Sequence, residues 1–243
     1  MAGKEELLVL LEEKRASLIS HAVTRGLNPK AKLKPSGIPW LGDVPAHWEV
    51  KRIKNLAGIL RGKFTHRPRN APHLYNGPYP FIQTGDVARA DKYITSFSQT
   101  LTDAGYEVSK EFPQGTLCMA IAANVGDVAI LTFDACFPDS VVGFAPNSAN
   151  TIDYLYYLLL SLRPQLLETS VASTQANLNI DRVGTLRIAV PPIEEQRIIE
   201  TQLSALDAAT DRAVAEIQTS IALLREKRGS LISAAVTGEM LVP

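Results

Sequence analysis

Between residues 4 and 24, apolar side chains return on a helical period. Leu7, Leu8, Leu11, Leu18 and Ala22 recur with charges between them, which predicts an amphipathic helix. Gly26, Asn28 and Pro29 end it. Residues 28–48 lose all period and carry Pro35, Gly37, Pro39, Gly42 and Pro45, the composition of a linker. Trp40 and Trp48 are expected to pin it to a domain surface, because large aromatic rings bury well even in irregular chain. From residue 49 the pattern changes to short β-forming runs at 79–83, 117–123, 127–133 and 185–190. Turn signals separate them: Asn76-Gly77-Pro78, Gly85-Asp86, Gly115, Gly126-Asp127 and Pro138-Asp139. One helix is expected near 151–168, with Thr151 as N-cap and Tyr154, Leu155, Leu158, Leu159 and Leu162 on its apolar face.

Pro191-Pro192 and Glu194-Glu195 suit the start of a second helix. A seven-residue pattern then runs through Ile199/Leu203, Leu206/Thr210, Ala213/Ile217, Ser220/Leu224 and Lys227/Leu231. It predicts a helix over 193–235, about 65 Å long at ~1.5 Å per residue. Its small a-like residues favour close antiparallel or mixed pairing over an ideal zipper. Such a helix would work as a strut. The expected fold class is α+β: a mixed, β-rich domain over 49–191, with helices at 1–27 and 192–243 forming an antiparallel coiled-coil-like spacer.

The two helical ends nearly repeat each other. Residues 10–24 (LLEEKRASLISHAVT) and 223–237 (LLREKRGSLISAAVT) differ only at Glu12/Arg225, Ala16/Gly229 and His21/Ala234. An offset of 213 in a chain of 243 residues is no solenoid period. It reads as one long unit cut from a tandem pair, and so as a protein that works as two units, fused or dimeric.

An apolar share of 46% in 26.5 kDa is enough to bury a core in one large or two smaller domains. The net charge is zero but unevenly spread. Residues 51–92 carry nine Lys/Arg against Asp86 and Asp91, a net of +7, while 93–191 carry −5 and 192–243 carry −3. One basic stretch on a neutral chain favours a polyanionic partner. Cys118 and Cys136 lack metal-ligand spacing and sit in apolar runs, so core positions are expected and a metal site is not. With no signal peptide and no apolar run near 18 residues, a soluble cytoplasmic protein is expected.

Catalytic motifs fail one by one. The Asn/Asp/Ser-Pro-Pro-aromatic loop of base methylation is missing, since Val190 and Ile193 flank Pro191-Pro192. Gly58–Phe64 has one spacer too few for a phosphate-binding loop and ends in Phe where a hydroxyl belongs. Glu12-Glu13-Lys14 has no strand-borne aspartate to complete a nuclease site. His21, His47, His66 and His73 have no nucleophile in a recognisable turn.

What remains is a binding vocabulary. Arg61, Lys63, Thr65, Arg67 and Arg69, interleaved with Phe64 and His66, suit phosphates or guanine edges. Gln83, Thr84, Asp86 and Arg89, with Lys92 beyond, form a candidate base-reading loop. Thr174, Gln175, Asn177 and Asn179 form a second, amide-rich loop suited to adenine. The spacer or dimer seam is assigned to Ile199, Leu203, Leu206, Ala213, Ile217, Leu224 and Leu231. Lys14, Arg15, Lys227 and Arg228 fit a partner helix or partner subunit better than DNA.

These pieces together resemble the specificity subunit of type I restriction–modification systems. The matching segments are Lys34–Asp43 (KPSGIPWLGD) with Pro45–Trp48, Phe81–Val87 (FIQTGDV), Phe137–Phe144 (FPDSVVGF), Gln175–Asp181 (QANLNID), Pro191–Gln196 (PPIEEQ) and the Lys-Arg-x-Ser-Leu-Ile-Ser helix end ahead of Ala-Val-Thr-Gly. The resemblance implies a non-catalytic DNA-binding subunit that directs methyltransferase (M) and restriction (R) subunits to a bipartite site. S-adenosylmethionine would act on the M subunit, for methylation of adenine N6, and ATP with Mg on the R subunit; the chain itself would bind no cofactor. The family usually carries two recognition domains, each followed by a helix that pairs antiparallel with the other. One domain here implies a half-subunit, natural or a fragment, working as a homodimer in a bacterial or archaeal cytoplasm and away from membranes. The alternatives are a stand-alone homodimeric DNA-binding protein (an antirestriction decoy or regulator) and, less in keeping with the missing loops, a nuclease or methyltransferase.

Overall fold

The computed structural model describes residues 2–66, 68–171 and 178–237. Two compact units emerge. Ser20–Glu200 forms one, and the flanking N- and C-terminal stretches form the other.

In chain order, α1 spans Ala2–Arg25, β1 Leu33–Pro35, β2 Asp43–Pro45, β3 Glu49–Arg52, β4 Ala57–Arg61, β5 Tyr75–Pro80, α2 Thr84–Arg89, β6 Tyr93–Ile94 and β7 Thr100–Leu101. There follow α3 Asp103–Glu107, β8 Glu111–Phe112, β9 Leu117–Ala120, β10 Val128–Leu131, β11 Ala135–Cys136 and β12 Val141–Pro146. α4 Ile152–Ser161, α5 Arg163–Val171, α6 Ile180–Thr185, β13 Arg187–Val190 and α7 Ile193–Val236 complete the chain.

The first unit is built on a five-stranded sheet in the order β4-β12-β9-β10-β6. All its pairings are antiparallel except β10 with β6. Every residue of β9 and β10 is buried, so both faces are covered and the strands read as continuous apolar runs. On one side Ile82, Val87, Ile94, Phe112, Phe137 and Val141 pack around Cys118 and Ala129, with the Phe112 and Phe137 rings stacked at 3.8 Å. A neighbouring cluster joins Phe64, Leu74, Phe81, Leu101 and Cys136.

Three local expectations need correction. The segment 28–48 holds a β1–β2 hairpin with Leu33 opposite Pro45, not plain linker. Within it Trp48 is fully buried, whereas Trp40 stays 39% exposed. The helix expected over 151–168 is two helices. It stops at Leu162, and Pro164 sits at the start of α5, where its missing N–H costs nothing; inside a continuous helix it would break the ladder. The Thr151 cap holds, its hydroxyl accepting from Tyr154 N at 3.2 Å.

The second unit pairs the N-terminal part of α1 with α7. Arg15 Nε donates to Asp207 Oδ1 at 2.8 Å and Nη1 to Asp211 at 2.9 Å; Arg225 reaches Glu5 at 2.9 Å. Numbers rise along one helix as they fall along the other, so the pairing is antiparallel. Burial works against the Arg15 charge, but Asp207 and Asp211 outweigh it and hold its pKa raised. On α7 Leu203, Thr210 and Ile221 are buried, with Leu206, Ala213, Ile217 and Ser220 half-buried between them. From Leu224 onward this side is bare: Leu224, Leu231 and Ile232 are 39%, 43% and 53% exposed. On α1 the seam runs through Leu8, Leu11 and Arg15; Leu7 and Leu18, expected among the apolar positions of an amphipathic helix, are exposed. Among the described residues no helix is long and apolar enough to cross a membrane.

Candidate nucleic-acid interface

Strand register brings the candidate loops to one end of the sheet. Arg61 closes β4 opposite Val142, Ala120 closes β9 opposite Val141, and Val128 opens β10 opposite Met119. β6 runs parallel to β10, with Tyr93 opposite Ile130, so α2 and the chain leading into β6 arrive at this same end. Cross-links tie the loops together. Ile121 N donates to Ser140 O at 2.9 Å, Leu178 N to Ile121 O at 2.8 Å, and Asn124 Nδ2 to Thr84 O at 3.4 Å.

Arg61, Lys63, Thr65 and Arg69 are all exposed. Their segment hugs residues 137–141, with Gly62 N donating to Val141 O at 2.9 Å and Lys63 N to Phe137 O at 3.0 Å. Gly62 is required there, because a Cβ would lie 2.1 Å from the Pro138 carbonyl oxygen. Arg61 Nε donates to Asp139 O, and Arg69 Nη2 to Asp139 Oδ2, each at 2.7 Å. The Thr65 hydroxyl donates to Val108 O at 3.3 Å.

The Gln83–Lys92 stretch behaves differently from expectation. Asp86 is no base reader. Its side chain is fully buried, accepting from Gln83 N at 2.8 Å and Ser98 N at 3.1 Å and pairing with Arg89. A carboxylate with its oxygens so occupied shapes the turn and caps α2. Lys92 is not a free phosphate ligand either. Its side chain is 17% exposed and bound to Asp153 at 2.6 Å, with its ammonium over the Tyr157, Tyr93 and Tyr156 rings. Gln83 gives its amide to Gln99 Oε1 at 2.9 Å, and Thr84 is half-buried. Arg89, 65% exposed, remains available at the rim.

Of the second loop, Asn179 is exposed and its Oδ1 accepts from Asp181 N at 2.8 Å, capping α6. Arg67, Thr174, Gln175 and Asn177 lie outside the described residues.

The geometry adds what motif reading missed. The loop 121–127 carries the left-handed Ala123 at φ 57° and contacts three of its neighbours. Asp127 pairs with Arg163 at 2.9 Å; burial pushes its carboxyl up and Arg163 opposes the shift. Asp139 and Ser140 join Arg61, Arg69, Ile121 and Ala122 around a cleft of about 220 Å³. The sequence signal was present in FPDSVVGF, but an aspartate in a turn does not announce two arginine partners from remote chain.

This end of the sheet offers forked donors and amides to a polar ligand, with its carboxylates already engaged. That suits base edges and phosphates. The architecture recurs in solved proteins. The HsdS subunit from Thermoanaerobacter tengcongensis superposes with a TM-score of 0.63 at 19% identity, over 98% of this chain and 53% of that one. A chain described in work on complex assembly and conformational transition of the type I R-M system superposes at 0.65, over 96% of this chain and 57% of that one.

Sequence relatives agree. The chain is 28% identical over 172 residues to the type I restriction enzyme MjaIX specificity subunit of Methanocaldococcus jannaschii, covering 69% of this chain and 39% of that protein. It is 24% identical over 202 residues to the HindI specificity subunit of Haemophilus influenzae, covering 80% and 43%. It thus spans less than half the length of these relatives. The family model for the type I restriction modification DNA specificity domain matches residues 45–222, and the chain therefore belongs to that family.

Proposed function

We propose that this chain recognises double-stranded DNA and directs methyltransferase and restriction subunits to a bipartite site, without carrying out catalysis. The unit Ser20–Glu200 would read DNA with Arg61, Lys63, Arg69, Arg89 and Asn179, aided by Thr65 and Thr84 and by Arg67, Thr174, Gln175 and Asn177. The observation that carries this reading is the meeting of exposed Arg61 and Arg69 at Asp139, beside the end of the sheet where β4 stops and β12 begins, in a chain of the specificity family. Phosphate contacts would supply salt-dependent affinity and base contacts the sequence preference. S-adenosylmethionine would be held by the M subunit, and ATP with Mg by the R subunit.

The helical unit would join a second copy of this chain. Its bare stripe at Leu224, Leu231 and Ile232 supports that reading, as does the duplication of 10–24 at 223–237. A homodimer would present two equivalent domains to symmetric half-sites.

Co-expression with a cognate M subunit tests the proposal. Adenine methylation in a defined sequence is expected, and Arg61→Ala or Arg69→Ala should cost about 1–3 kcal/mol of specific binding. If the chain binds DNA as a dimer yet captures no M subunit, the stand-alone alternative replaces this one.

A further inference from the structure

We infer that Asp139 is a specificity-positioning residue. It locks Arg69 as a fork for one guanine, while its backbone carbonyl independently orients Arg61 for a second base. The inference rests on the DNA-recognition reading above and deepens it.

Two arginines from one segment converge on a single residue from another. Arg69 Nη2 meets the Asp139 carboxylate, and Arg61 Nε meets the Asp139 carbonyl, each at 2.7 Å. Both guanidinium groups therefore lose rotational freedom before any ligand arrives. Tying up Arg61 Nε leaves its two Nη groups as an end-on pair, and tying up one Nη2 hydrogen of Arg69 leaves one of its two forked edges open. Either edge can donate two parallel hydrogen bonds to guanine O6 and N7.

The backbone is also held at Gly62 and at Arg69. The Tyr75 hydroxyl donates to Arg69 O, and Gly62 is pressed against Pro138. Ile121, Ala122 and Ser140 complete a cleft of about 220 Å³, bounded by one apolar wall and one hydroxyl.

The carboxylate decides between phosphate and base. A site built for phosphate gains nothing from an acidic group beside its arginines, because like charges repel and the field is weakened. A site built for a base edge gains orientation, since a fork held in plane loses less entropy on binding. Asp139 is only partly exposed, at 38% of its side chain, and is paired with Arg69, so its charge serves the arginine.

The test is selection from a random duplex DNA library by the full 243-residue chain, with M subunits present. The wild type, Asp139→Asn, Arg69→Lys and Arg61→Lys are compared. Asp139→Asn keeps the carbonyl, so it should release Arg69 alone. We expect it to lose one guanine preference, by about 5- to 100-fold, and Arg69→Lys to lose the same one. Arg61→Lys should lose a different position. The double variant Asp139→Asn/Arg69→Lys should lose no more than Arg69→Lys, as a residue acting through another requires. Affinity of Asp139→Asn for random DNA should hold or rise about two-fold, because a negative charge has gone; a merely structural role would lower it.

An unchanged preference in Asp139→Asn overturns the inference, as does a uniform loss over all sequences. Should Asp139→Asn melt at a lower temperature than wild type, Arg69→Lys at its exposed position still decides whether a guanine depends on that fork. If the wild type selects a sequence that neither arginine variant alters, the recognition reading stands and this inference fails. If the wild type selects nothing, both fall.

Discussion

Individual side chains in this protein are decided by what surrounds them, and residue type alone misleads. Asp86 and Arg89 look alike as loop-tip polar groups, yet the first is sealed inside and the second faces solvent. Removing the Asp86 carboxylate strands the Gln83 and Ser98 amides that point at it. Asp86→Ala should therefore lower unfolding stability by about 1–3 kcal/mol, read from the urea midpoint with DNA absent. The cysteines give a second test. Burial pushes the Cys118 thiol far up, and burial raises Cys136. Neither should react quickly with an aromatic disulfide at pH 8 in the folded protein, and both should react in denaturant. A folded pKa above the unfolded one means that the unfolded chain loses its thiol protons first. Stability is thus unaffected below the ordinary thiol pKa and falls as pH rises beyond it; Cys118→Ser should flatten that decline. The core placement of both cysteines was legible, because each sits in an apolar run. The inward turn of Asp86 and the Lys92–Asp153 pair were not, because both depend on partners 12 to 61 residues away in sequence.

Elements with one dominant period are the legible part of the fold. The α7 seam at Leu203, Leu206, Thr210, Ala213 and Ile217 follows its seven-residue spacing in burial, because an antiparallel helix covers the side that the spacing marks. Leu203→Ala should destabilise by about 2–5 kcal/mol, whereas Leu231→Ala, on the bare stretch, should change monomer stability by less than about 0.5 kcal/mol; thermal melts at low protein concentration compare them. Short strands were the illegible part. β6, β7, β8 and β11 have two residues each, too few to show alternation. The β1–β2 hairpin hides in a Pro- and Gly-rich stretch whose turn needs left-handed Gly37 and Gly42. The break between α4 and α5 follows from Pro164 alone, a cue outweighed by the leucine-rich pattern on either side.

At the scale of the whole molecule, the repeated segment has two fates. Ala22 and Val23 in its first copy are buried, at 3% and 0% exposure, while Val236, the counterpart of Val23, is 82% exposed. Identical sequence in unlike surroundings means that the second copy has apolar surface still to cover, and that surface continues through Leu231 and Ile232. On the proposed reading, covering it with a second chain would join two DNA-reading domains, and the second half-site would then be met at high effective concentration. Charges placed on the stripe should undo this without touching the reading loops. For Leu231→Asp/Ile232→Asp we expect sedimentation to shift from dimer to monomer at tens of micromolar. Affinity for a duplex carrying both half-sites should fall to that for a single half-site, and the single half-site affinity should stay at the wild-type value. Because the substituted side chains are exposed in the monomer, the melting temperature at low concentration should hold. A wild-type chain that is monomeric throughout this range, or a variant that still dimerises, would show that the stripe serves some other contact.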